Sequence, residues 1–392
     1  MKHARSHSAG ALNYVMAHVG DRLHALDGAR AVAACLVVAH HLGVGSAAVG
    51  LEQSGHEVLG RLLGGLTASG VELFFVLSSV VLAGPYVRGE RRLDLGKYTM
   101  RRVERLVPPY FVAWLLAGLQ VYLLTIFPTW WTVGSSLPSF SMTDWLAQVG
   151  IIYVGNASYS FAWWSLTIEV AFYVALPAII PLVVRARRWH RGLLAAFLGS
   201  VLVACTVYGL GAADSVPILT KFAVYASCFC AGLVIAAGGP LSPSLRLTAV
   251  ATGITWVLAS AVFPLLNPHV GWGLLYFGIV SVAMDRGTSI ARTLSQFKFV
   301  WLGERSYSLY LVHYSVIGLV CHAVSFLIGS KGVAYFLLTR PLSIVGTLAA
   351  TVLLFHFIER RFARNLVTAD AVLPWRRHAD AFVRGLAPES AI

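Results

Sequence analysis

Long apolar runs dominate this chain, and its polar and charged positions fall in short clusters between them. Runs long enough to cross a bilayer, about 17–25 residues each, occur around 28–46, 68–87, 107–127, 163–184, 192–210, 219–237, 246–265, 270–285, 305–328 and 341–358. In hydrocarbon a single run satisfies its own backbone hydrogen bonds only as a helix. The pattern therefore predicts an all-α, polytopic membrane bundle of about ten transmembrane helices. The stretch 142–155 is too short to cross and is expected to lie along the outer interface. No repeat of fixed period interrupts the series, so one domain is expected over residues 22–364. A short segment, 1–21, precedes it, and a basic tail, 365–392, follows.

Charge sets an orientation on this frame. With both termini in the cytoplasm, 26 of the 30 lysines and arginines fall on the cytoplasmic side, and Arg61, Lys221, Lys331 and Arg340 are the four outside it. Such one-sidedness is what the positive-inside rule requires. The long segment 128–162 has no Lys or Arg and carries Trp130, Trp131, Trp145, Tyr153 and Tyr159, an expected outer aromatic belt. Composition agrees: 57% hydrophobic residues, 12% charged, and a mean hydropathy of +0.73. The formal charge of +13 sits in loop clusters rather than on a continuous face, which excludes a nucleic-acid binder. The five cysteines all lie within apolar runs and imply neither a disulfide framework nor a metal cluster. The first apolar run begins near Ala29 after a polar segment, and no signal-peptide cleavage pattern is recognisable.

Ionisable residues inside such spans are costly and point to function. Arg30 and His41 are eleven positions apart, close to three helical turns. This puts them within about 20° on one face and ~16 Å apart along the axis. Arg30 is then near the cytoplasmic surface and His41 in the outer half of the bilayer, a stripe suited to a long ligand with an anionic end in the cytosol. His40, about 100° round the helix, is expected to be structural. Arg102 and Arg105 share a helix face at the cytoplasmic mouth, suited to phosphates, and Pro108 is expected to open the next span. Glu169, about six residues below the outer surface, falls at the depth of His41, where it could orient the imidazole or bind a hydroxylated substrate. Tyr310 and His313 lie on one face of a later span. His322 and His356 read as packed polar residues.

Six motifs occur in order: Arg30 with His41, the run Gly70 to Ser78 containing Glu72, Arg102 with Arg105 and Pro108, Trp164 with Glu169, Ser306 to His313, and Ile358 to Phe362. Together they resemble the acyltransferase 3 family of bacterial membrane O-acyltransferases, over roughly residues 22 to 364. The resemblance implies ten core helices in the bacterial inner membrane, an acyl-CoA donor from the cytosol and a hydroxylated acceptor, glycan or glycolipid, from outside. It makes Arg30 and His41 the essential pair and associates Arg102 and Arg105 with the donor. It also implies a departure, since Ser78, Ser79 and Val80 stand where relatives commonly have Ser-Gly-Phe. Some relatives append an extracytoplasmic hydrolase-like domain. The stretch after Glu359 is too short for one, and the chain is expected to act without it.

The resulting expectation is a membrane O-acyltransferase. His41 is the general base, with Glu169 and Arg30 in the catalytic set, and Arg102, Arg105 and Arg30 hold the nucleotide phosphates. Glu72, Trp164, Tyr310 and His313 line the substrate pocket. Acetyl-CoA is the default donor, and no metal is called for. Transfer directly to the acceptor is the simplest course, and a covalent acyl-enzyme on Ser or Tyr is the variant. The alternatives are acylation of a small secreted metabolite such as a macrolide, a proton-coupled secondary transporter, which would more often show duplicated halves, and a receptor or scaffold.

Overall fold

A computed structural model describes residues 24–126, 141–151, 160–187, 190–210, 218–329 and 332–362. The segment 1–21, the tail 365–392, and Trp130, Trp131, Tyr153 and Tyr159 of the expected aromatic belt lie outside the described residues. Fifteen helices are numbered here in chain order. They are α1 His24–Gln53, α2 Glu57–Ala68, α3 Gly70–Val87, α4 Leu95–Ile126, α5 Met142–Ala147, α6 Trp164–Arg187, α7 His190–Gly209 and α8 Ile218–Val224. The remainder are α9 Ala226–Gly238, α10 Pro243–Val262, α11 Pro268–Ala283, α12 Ser289–Leu294, α13 Phe297–Glu304, α14 Ser306–Ile328 and α15 Val333–Leu354.

Among the described residues no strand occurs. Among the described residues, eight helical stretches are long and apolar enough to cross a membrane, including Glu57–Val87, which joins α2 to α3, and Val333–Phe362, which extends α15. Two shorter apolar helices, α9 and α11, occupy the places of the other two expected spans. The protein is a multi-pass, all-helical membrane protein. Its surface fits that solvent: Leu202, Val174, Leu265 and Leu337 are each more than two-thirds exposed, which only lipid would favour. The buried core runs through α1, α3, α4, α6, α9, α11 and α14.

The boundaries depart from expectation in three informative places. First, Pro108 does not open a span. α4 starts at Leu95 and passes through Pro108 and Pro109, so Arg102 and Arg105 stand on the same rigid helix that crosses the membrane. The missing proline N–H groups leave the carbonyls of Glu104 and Arg105 without helical donors. Second, α15 begins at Val333, which brings Arg340, expected in an outer loop, inside the helix. Third, the span expected over 219–237 is broken at Tyr225, between α8 and α9. α5, in the stretch expected at the interface, is pinned to α4 by Trp145, whose ring stacks on Trp114 at 4.1 Å.

Candidate active site

The site begins with a defect in α1. Residues His40–Val44 form a π-turn, and Gly43 within it has φ 117°, a backbone open to glycine and costly for other residues. The wider turn carries both histidines. Thr67 donates its hydroxyl hydrogen to the carbonyls of Leu63 or Gly64, so its oxygen is left to accept from His40 Nδ1–H at 2.9 Å. His40 is thereby tied to α2.

The tautomer of His41 follows from its neighbours. His41 Nδ1 lies 2.9 Å from the Val37 carbonyl oxygen, and His313 Nδ1 lies 2.8 Å from that of Tyr310. A carbonyl oxygen only accepts, so each ring carries a hydrogen on Nδ1. In the neutral forms His313 Nε2 therefore has a lone pair, and it accepts a second, shared bond from His41 Nδ1–H at 3.2 Å. His41 is left with an unprotonated Nε2, the atom a general base needs. His313 is completely buried, and the Tyr314 ring closes edge-on over His41 at 5.4 Å.

At the other end of α1, Arg30, Arg102 and Arg105 line one narrow cavity together with Ser78, Glu169, Tyr173, Ser165, Tyr307 and Tyr310. Its free volume is about 50 Å³, room for one or two water molecules. The guanidinium of Arg102 is flanked by the rings of Tyr98 and Tyr173, each 6.0 Å away, and its Nε is buried without a hydrogen-bond partner. Arg30 and Arg105 are electrostatic neighbours, with Asp27 and Glu359 within reach of both. None of the three arginines forms an ion pair at contact distance with a described residue, so the cluster keeps unused donors for an anion.

The remaining predicted residues divide between two places. Glu169 lines the cavity, where one carboxylate oxygen accepts from Ser78 Oγ at 2.8 Å and from the Tyr173 hydroxyl. The expected orientation of His41 by Glu169 is not formed, because the ring is oriented by Val37 and His313. Tyr310 also lines the cavity. Its hydroxyl is held by Ser165 Oγ at 2.8 Å and by the Ala162 carbonyl, and its ring lies 5.7 Å from that of His313. Glu72 is elsewhere, buried and paired to His269 Nδ1 at 2.5 Å, with the Tyr225 ring tilted against that imidazole at 4.2 Å. Trp164 packs beside Tyr225 at 5.7 Å.

Sequence reasoning missed Ser78 and Tyr173 as partners of Glu169, His269 as the partner of Glu72, and Glu359 as a buried acid held by Ser308 Oγ at 2.5 Å. Tyr173 had a signal, four residues beyond Glu169 on the same helix face. The others had none, since Glu72 and His269 are 197 positions apart. Among the described residues, no three His, Cys, Asp or Glu side chains are grouped to hold a metal.

A family model described as an acyltransferase domain matches residues 23–357. The chain belongs to the acyltransferase 3 family. Relatives of the chain include the peptidoglycan O-acetyltransferase OatA of Listeria monocytogenes, 24% identical over 376 residues, covering 87% of this chain and 56% of the relative. They also include a Staphylococcus aureus protein named provisionally as an O-acetyltransferase, 23% identical over 393 residues, covering 90% and 58%. The chain thus spans a little over half the length of the curated relatives it matches. No solved structure matches it.

The stretch Ser78–Val80 of α3 lies where that helix meets α9. Ser79 faces α9, and the close approach there is supplied by a glycine of that helix. Gly232 of α9 packs so tightly that a Cβ would meet the Val76 carbonyl oxygen and lie 2.5 Å from Ser79 Cβ. This contact keeps α3 and α9 together, and Ser78, one residue earlier, donates to Glu169.

Proposed function

We propose that this protein transfers an acyl group, acetyl by default, from cytosolic acyl-CoA to a hydroxyl of an extracytoplasmic or lipid-linked glycan, across the inner membrane of a bacterium. The observation that carries the reading is the His41 ring. Its hydrogen is committed to Val37 and His313, and its Nε2 is left free, on the helix that carries Arg30 into the guanidinium cluster. Arg30, Arg102 and Arg105 would bind the donor's phosphates, and Glu169, fixed by Ser78 and Tyr173, would accept hydrogen bonds from amides of the pantetheine arm. The narrow cavity must widen to admit that arm, and Tyr310, which lines it and lies against His313, is a side chain it would have to pass.

In the reaction His41 Nε2 takes the acceptor's hydroxyl proton as its oxygen attacks the thioester carbonyl. The C–S bond then breaks, and the departing thiolate recovers that proton from the imidazolium, giving the ester and free coenzyme A. The name of the Listeria relative makes peptidoglycan the first glycan to test. With labelled acetyl-CoA and membrane glycan extract, the purified protein is expected to give an ester-linked product by mass spectrometry. His41→Ala should lower turnover by roughly 10²–10⁴-fold while leaving acetyl-CoA affinity intact. Near-normal turnover in that variant would remove His41 from the chemistry.

A further inference from the structure

Arg340 belongs to none of the clusters above. It lies seven residues into the span Val333–Phe362, roughly 10 Å along the helix from its start, where a guanidinium is costly unless it meets a partner. Yet Arg340 forms no hydrogen bond or ion pair with any described residue; the Phe336 ring lies 5.2 Å from its guanidinium carbon. The guanidinium rests on the π-turn of α1. A Cβ at Gly43 would be 2.5 Å from Arg340 Nη2, so any other residue there would push the guanidinium aside. Gly43 is two residues from His41. Around this contact runs an open groove of about 650 Å³, lined by Ala39, Leu42, Val44, Ala47, Leu63 and Phe336, all apolar apart from Arg340 itself.

A single uncompensated cation at the head of an apolar groove is complementary to a lipid with one anionic group. We propose that this groove seats the phosphate and the first part of the hydrocarbon chain of a lipid-linked glycan, the acceptor of the transfer. The phosphate would bond to Arg340, the chain would lie along α1 and α2, and the glycan would be tethered near His41. Tethering explains how a hydroxyl competes with water, because the lipid anchor converts a dilute acceptor into a local one. The inference rests on the acyl-transfer reading for the word acceptor, but the groove itself is tested by binding alone.

The test uses the full chain in phosphatidylcholine nanodiscs and two probes of equal length, a polyprenyl phosphate and the corresponding polyprenol, read by native mass spectrometry without acyl donor. The phosphate is expected to bind at least tenfold more tightly than the alcohol. Arg340→Gln should erase that difference and Arg340→Lys should retain part of it. Equal binding of the two probes by the unaltered protein, an unchanged preference in Arg340→Gln, or equal competition by phosphatidylglycerol would overturn the site. In the transfer assay the polyprenyl phosphate should inhibit competitively against the glycan acceptor, and non-competitive behaviour would overturn the acceptor role. Arg340-dependent lipid binding in a protein that transfers nothing would fault the catalytic reading while leaving the groove in place.

Discussion

The chemistry of His41 is decided by what surrounds its other nitrogen. Val37, one turn earlier on α1, and His313 of α14 both take up the Nδ1–H, and the Tyr310 carbonyl fixes the ring that makes the second contact. Removing His313 should leave the tautomer, which Val37 still enforces, but free the ring to rotate. His313→Ala is therefore expected to lower kcat by roughly 10–100-fold, the cost typical of losing an outer partner of a functional histidine. His313→Gln, whose amide oxygen can accept from Nδ1–H, should recover part of the loss. Steady-state kinetics with the two variants check this, and a wild-type kcat in the alanine variant would show that Val37 alone positions the ring. At the same scale, Glu169 and Glu72 look alike in sequence as membrane carboxylates. Their partners separate them: two hydroxyls leave Glu169 facing a cavity of cationic groups, whereas Glu72 is closed against His269.

Helices carry these residues, and small irregularities set their aim. The π-turn in α1, the two prolines in α4 and the glycine at 232 in α9 each move a side chain without ending an element. The α3–α9 contact offers a direct test. Gly232→Ala should force the two helices apart and cost about 1–3 kcal/mol as overpacking does, seen as a lower melting temperature in detergent. Ser79→Gly should return part of that loss in the double variant, because it removes one of the two clashing groups. Strict additivity of the two changes would mean that the helices do not meet as described. Because Ser78 adjoins this contact, the single variant should also weaken acyl-CoA binding through Glu169.

Over the whole molecule, the spans define two faces, with Arg30, Arg102 and Arg105 gathered toward one end of α1 and His41, Gly43 and Arg340 toward the other. The count of basic residues is the ground for proposing that the first face is the cytoplasmic one. Cysteines introduced at Ser54 and Glu90, both exposed and separated by the single span Glu57–Val87, should react with an impermeant maleimide from opposite sides of sealed vesicles, Glu90→Cys from the cytoplasmic side. Labelling of both from one side would break the span, and reversed labelling would invert the donor and acceptor faces.

What the chain's sequence determined by itself was everything governed by local partition and local geometry. Apolar run lengths are set by bilayer thickness, and they located the spans. Charge clusters set the proposed orientation, and the helical repeat placed Arg30 beneath His41 and Arg102 beside Arg105. Glycine at 43, proline at 108 and arginine at 340 were visible as letters, but their consequences were not. A π-turn, an unbroken proline-containing helix and a cation lodged on a neighbouring glycine each depend on which helix packs alongside. Only the tertiary structure decided that His313 rather than Glu169 orients His41, that Glu72 closes on His269, and that Gly232 packs against Ser79. Those pairings join residues far apart in the chain. In a bilayer many helix arrangements bury similar apolar area, so polar contacts and close-packed small residues select among them, and neither leaves a periodic trace along a single sequence.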